Sequence, residues 1–101
     1  MLDEDWRKER LLEVRAMYFE TLPELVEGMM QYRLDGEIFA HLNAQKAYVG
    51  VYLGELERID PGVVLRGKMN CGKSCLRLRK WDDPEVVRAL VSAKAVIRRN
   101  D

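Results

Sequence analysis

The stretch Gly67-Lys68-Met69-Asn70-Cys71-Gly72-Lys73-Ser74-Cys75-Leu76-Arg77-Leu78-Arg79 admits two readings, and the choice between them decides the fold. As a pattern it holds Gly67, four residues, then Gly72-Lys73-Ser74, the spacing of a phosphate-binding loop. Such a loop needs a buried strand before it and a helix after it, because the helix N-terminus and consecutive loop N–H groups hold the phosphates. Here Ser74 is followed by Cys75-Leu76-Arg77-Leu78-Arg79, which alternates apolar and cationic residues at the period of a strand. Before Gly67, Asp60-Pro61-Gly62 marks a turn and leaves little room for a buried parallel strand. The later acids Asp82, Asp83 and Glu85 sit at a helix start, where they cannot supply a magnesium ligand at a strand end. The stretch reads as a β-hairpin, and the nucleotide-hydrolase reading falls with the loop.

A two-residue turn at Gly72-Lys73 puts glycine at the first central position, as a type II′ turn requires. In that register Cys71 faces Ser74, Asn70 faces Cys75, Met69 faces Leu76 and Lys68 faces Arg77. One face then carries Met69, Cys71, Leu76 and Leu78, and the other Lys68, Asn70, Cys75, Arg77 and Arg79. The two cysteines point to opposite sides and cannot share a tetrahedral ion; there is no second pair, and His41 is the single histidine. One cysteine is expected as a small core hydrophobe, the other as a partly exposed thiol.

A chain of 101 residues suits one domain, residues 1–101, with a modest core. Its 48% hydrophobic and 34% charged content argues against disorder. Lysine plus arginine and aspartate plus glutamate both total 17, so no net field draws in nucleic acid or an anionic membrane. No apolar run approaches the ~20 residues of a spanning helix, and the charged N-terminus is unlike an export signal. With two cysteines, a reducing cytoplasm is the expected location.

Around the hairpin the chain reads α, then antiparallel β, then α. A helix over residues 6–20 carries Leu11, Leu12, Val14, Ala16, Tyr18 and Phe19 as its apolar stripe, behind the acidic lead-in Asp3, Glu4 and Asp5. Pro23 suits the first turn of a short second helix through Glu27. Met30, Tyr32 and Leu34 then share one side of a strand that ends at the turn signal Asp35-Gly36. Ile38, Ala40 and Leu42 line the inner side of the next strand; Val49, Val51 and Leu53 line that of a third, with Ala44 facing Ala47 across a turn at Gln45-Lys46. A two-residue turn at Asp35-Gly36 would set Gln31 and Arg33 beside Ile38, so a longer loop or a bulge is expected there. A connector over residues 54–66 carries a short helix at 55–59. The final helix opens at Trp81-Asp82-Asp83-Pro84-Glu85, capped by Asp82 or Asp83, with Val86, Val87, Leu90, Val91, Val96 and Ile97 on its apolar side.

The segment Ala44-Gln45-Lys46-Ala47-Tyr48-Val49-Gly50-Val51-Tyr52, then Cys71-Gly72-Lys73-Ser74-Cys75-Leu76-Arg77-Leu78 and a proline-led terminal helix, resembles the YdhG-like domain-of-unknown-function family over residues 16–97. Gln45, Lys46, Tyr48, Tyr52, Gly72, Lys73 and Ser74 carry the likeness. It implies an α+β fold: an antiparallel sheet of about five strands with N- and C-terminal helices packed on one face, similar to bacterial frataxin-like iron-binding proteins. It also implies an alternative function, since one family member has been assigned an iron-chaperone role in iron–sulfur assembly. The corresponding acidic ridge would fall on Asp3, Glu4, Asp5, Glu9 and Glu13, hard oxygen ligands suited to iron. Arg7, Lys8, Arg10 and Arg15 interleave with those acids, so a solvated helix face is the stronger expectation. No other cofactor is implied.

With both helices on one side, the other side of the sheet presents Phe39, His41, Asn43, Tyr48, Tyr52, Lys68, Arg77 and Arg79. Aromatics beside guanidinium groups compose a recognition surface for a protein partner, a second copy of the chain or a single-stranded nucleic acid, although the net charge does not point to the last. The competing reading is a solvated face whose aromatics pair across strands for stability. Catalysis is the weakest reading, because a Cys–His pair needs direct hydrogen-bond reach and His41 and Cys75 lie on different hairpins. A non-enzymatic binding module is the expectation.

Overall fold

In α1 (Leu2–Thr21) the residues Val14, Met17 and Tyr18 fall three and four apart and are buried, with Leu11 and Phe19 beside them. This computed structural model describes residues 2–54, 56–65, 67, 70–72 and 74–100, with side chains described from Trp6 onward except those of Val63 and Asn100. The helix ends where the Leu22 N–H bonds back to the Tyr18 carbonyl at 2.9 Å, and the Leu25 N–H then closes a turn onto the Leu22 carbonyl at 3.1 Å. Pro23 takes the second position of that turn, which its fixed φ suits. Leu22 and Leu25 are both buried and pin it in place. The chain therefore leaves as a strand, β1 (Val26–Gly28), and the second helix expected through Glu27 does not form.

Four more strands follow: β2 (Gln31–Leu34), β3 (Glu37–Ala44), β4 (Val49–Tyr52) and β5 (Cys75–Leu78). They form one antiparallel sheet in sequential order. Between β4 and β5 lie α2 (Leu56–Ile59) and a 3-10 turn at Pro61–Val63; buried Asp60 closes this connector by accepting the Leu65 N–H at 2.9 Å. The last element is α3 (Glu85–Asn100). Asp83 caps it by accepting the Glu85 N–H at 3.0 Å, while Asp82 is drawn instead to the Arg79 N–H at 2.8 Å. Its buried stripe is Val87, Leu90, Val91 and Ala95, and Val96 is exposed.

The sheet has the expected faces except at the β2–β3 bulge, where Phe39 is buried and Ile38, expected on the inner side, is exposed; its registers differ from those expected. Ala44 pairs with Val49, so the β3–β4 loop takes four residues, 45–48, and the Gln45 N–H bonds the Tyr48 carbonyl at 2.8 Å. At the last hairpin Cys71 bridges Leu76, the Gly72 N–H bonds the Cys75 carbonyl at 2.7 Å, and the loop is again two residues longer than expected. Gly72 does not have the positive φ of a type II′ turn. A shift of two residues preserves which side each residue faces, so the inside-outside assignment survives both corrections. At Asp35-Gly36 the two-residue turn is real, with φ of 52° and 83°, and the irregularity needed to reconcile it appears as a bulge. Tyr32 pairs with Ala40 and Arg33 with Ile38, leaving Phe39 as the extra residue.

Both long helices pack on one face of the sheet, against Tyr32, Leu42, Val49, Val51, Leu76 and Leu78. Tyr18 reaches from α1 to donate to the His41 carbonyl at 3.2 Å, and burial pushes its phenol well up. At the β1 edge the Glu27 carboxylate accepts two Arg15 guanidinium bonds, both 2.8 Å, and the Tyr32 hydroxyl at 2.7 Å. That arrangement ties β1 and β2 to the helix layer.

Candidate functional site

Two cross-strand rows define the uncovered face. In the first, His41 on β3 pairs with Tyr52 on β4, which pairs with Cys75 on β5. The His41 and Tyr52 rings meet edge-on, with centroids 6.1 Å apart. Cys75, its cross-strand neighbour, is the main cause that raises the Tyr52 pKa, and the Cys75 thiol itself donates to the Leu76 carbonyl at 3.7 Å. Tyr52 is 41% exposed, so this row presents an aromatic centre flanked by a titratable ring and a thiol. His41 and Cys75 stand one strand apart on either side of Tyr52, about 10 Å by strand spacing, so they do not form a nucleophile–base pair.

The second row is Asn43, Gly50 and Arg77. A Cβ at Gly50 would sit 2.8 Å from Asn43 Oδ1 and 3.7 Å from Tyr48 Cε1, so both side chains close over the glycine. Arg77 donates from Nη1 to Asn70 Oδ1 at 2.8 Å, and its backbone N–H bonds the Asn70 carbonyl at 2.9 Å. The guanidinium is thereby held out along the sheet, with donors left for a ligand.

The expected recognition residues divide. His41, Tyr48, Tyr52 and Arg77 come together on the uncovered face. Phe39 does not: it is 1% exposed, and the bulge turns it into the core beneath the Lys94 ammonium, 4.6 Å from its ring centroid. Arg79 is committed elsewhere, since it bonds Asp82 and stacks on the Trp81 ring at 5.1 Å, fixing the approach to α3. Lys68 lies outside the described residues, as does Lys73. The other motif residues serve loops: Arg7 on α1 donates to the Gln45 carbonyl at 2.8 Å and the Lys46 carbonyl at 3.4 Å, and the Ser74 carbonyl accepts the Leu53 N–H at 3.1 Å. Because Cys75–Leu78 is extended, no helix follows Ser74 to hold a phosphate.

Of the acidic candidates, Asp3, Glu4 and Asp5 have side chains outside the description; Glu9 is exposed, and Glu13 pairs with Arg10 at 3.3 Å. Among the described residues no three His, Cys, Asp or Glu side chains gather as a metal site, and no helix is long and apolar enough to cross a membrane.

No protein-family model and no curated protein sequence matches the chain. Among solved structures, the crystal structure of YdhG from Bacillus subtilis, a DUF1801 family protein, is similar with a TM-score of 0.73, over 95% of this chain and 83% of that one, at 12% sequence identity. The chain has the YdhG fold. The two chains meet at the level of architecture: a five-stranded antiparallel sheet with an N-terminal and a C-terminal helix.

The sequence reading passed over one cluster in this YdhG-like domain. Lys94 on α3 donates to the Phe39 carbonyl, freed from regular pairing by the bulge, and lies where two hollows meet. Burial, with Arg98 adding to it, pulls its pKa down to about 8. The sequence did carry a signal: Lys94 falls three and four residues after Val91 and Leu90, a cation in line with an apolar stripe.

Proposed function

We propose that the chain is a non-enzymatic, cofactor-free binding module that takes a protein partner on the uncovered sheet face. The observation that carries this reading is the Tyr52 row, in which an exposed aromatic stands between His41 and Cys75 beside the braced Arg77 guanidinium. Tyrosine offers a large amphipathic contact at low conformational cost, and arginine adds a planar fork of donors. With no net charge to steer a partner from afar, recognition rests on local fit.

The test uses Tyr52→Ser and Arg77→Ser, two changes outside the core. Each is expected to leave stability within about 0.5 kcal/mol of the parent. Each should also release a partner captured from the native host or, where the partner is a second copy, convert a dimer to monomer in sedimentation velocity. Retention of the same partner and the same sedimentation by both variants overturns the reading.

A further inference from the structure

Between the end of β4, α2 and the last turns of α3 lies a hollow of about 220 Å³, lined by Leu53, Gly54, Arg58, Ile59, Lys94, Ile97 and Arg98. Three of these are cations from two elements. Lys94 and Arg98 stand one turn apart on α3, and Arg58 comes from α2. Glu37 on β3 pairs with Arg98 at 3.1 Å, but among the described residues no carboxylate pairs with Lys94, whose described partners are the Phe39 carbonyl and ring. A half-buried ammonium without a carboxylate is costly unless something else offsets it. Gly54 forms part of the wall with φ of 91°, and a Cβ there would come within 3.6 Å of Lys94 Nζ. The glycine lets the chain turn away sharply and leaves the amine facing the hollow. The rest of the lining is apolar.

We infer that this hollow binds a small oxyanion: a phosphate or carboxylate head held by Lys94, Arg98 and Arg58, on a short body packed against Leu53, Ile59 and Ile97. The volume is below that of drug-sized pockets, which limits the ligand to a few heavy atoms beyond its head group. The charge logic runs both ways. An anion would offset the repulsion between Lys94 and Arg98, and the partly desolvated site would strengthen its hydrogen bonds to both. No member of the Tyr52 and Arg77 rows lines this hollow, although Gly54 and Lys94 also border the neighbouring hollow that His41 and Tyr52 line, so Arg58→Gln rather than a change in those rows tests the site.

The probes are inorganic phosphate and butyrate, each titrated at low ionic strength while amide resonances are followed, with sodium chloride as the ionic-strength control. Saturable shifts at Gly54, Lys94 and Arg98 are expected at or below about 10 mM. Response to phosphate assigns the head group as phosphate, and response to butyrate as carboxylate; either supports the site. Arg58→Gln, at an exposed position, and Lys94→Met, which keeps the apolar stem, should each weaken binding about tenfold. Should Lys94→Met fail to fold, Arg58→Gln decides. Absence of saturable shifts with both probes, shifts equalled by sodium chloride, or affinity unchanged in Arg58→Gln overturns the inference.

Discussion

Glu27 sits where β1 passes α1, and its surroundings set an acid limit on the fold. The Arg15 hydrogen bonds, followed by the Tyr32 hydroxyl, pull its pKa down to about 2. The folded value lies below the unfolded one near 4.3, so the carboxylate's contribution is fully present above about pH 5 and is lost as pH falls toward 2. Glu27→Gln should therefore flatten the loss of stability across that window, measured as urea midpoints at steps of pH. A slope unchanged from the parent would assign acid unfolding to other carboxylates. The pair is partly exposed, so added salt should shrink the effect. Single residues were also where sequence reasoning faltered. Phe39 alternates as an outward residue within Glu37–Ala44, and only pairing with β2 reveals that it is the surplus member of a bulge. One strand's pattern does not specify where a partner strand slips.

At the scale of elements, the β1–β2 hairpin is the most strained connection. Met29 and Met30 form its two-residue loop with φ of 49° and 66°, a conformation that side chains with a Cβ adopt at a cost of roughly 1–2 kcal/mol each. Met29 is 96% exposed and Met30 63% exposed, so little packing answers that cost. Replacing the pair with Asn-Gly, the residues this turn favours, should raise stability by about 1 kcal/mol, read from the denaturant midpoint; a decrease would show that the methionines hold the loop by contacts of their own. The same loop explains a misreading. Met-Met carries no turn signal, so Met30 reads as the first residue of a strand that starts at Gln31. Asp35-Gly36 has the signal, and its turn was legible in place; of the longer loop or bulge left open there, the bulge is what forms. The two longer loops were legible in place and short by two residues in length, because alternation counts side-chain parity and is blind to an even slip. Loop closures such as Gln45 onto Tyr48, and the tie from Arg7, are set by backbone partners that a local pattern does not encode.

The whole molecule is two layers, and legibility was greatest here: helix stripes at one end and the other, with alternating strands between, leave few ways to bury both. Stability and recognition are expected to separate by layer. Leu90 is fully buried between α3 and the sheet, so Leu90→Ala should cost about 2–5 kcal/mol and lower the thermal midpoint, whereas Arg77→Ser should move it little. Equal losses in calorimetry for the two variants would contradict that division. The element that completes the buried layer is made only after every strand of the sheet. Until α3 clears the ribosome, Val49, Val51, Leu76 and Leu78 have only α1 above them, although every strand already lies beside its neighbour in the order of synthesis. A nascent chain stalled after β5 thus holds a finished sheet with half its oily side open, the form in which this polypeptide is most exposed to aggregation and to capture by a chaperone.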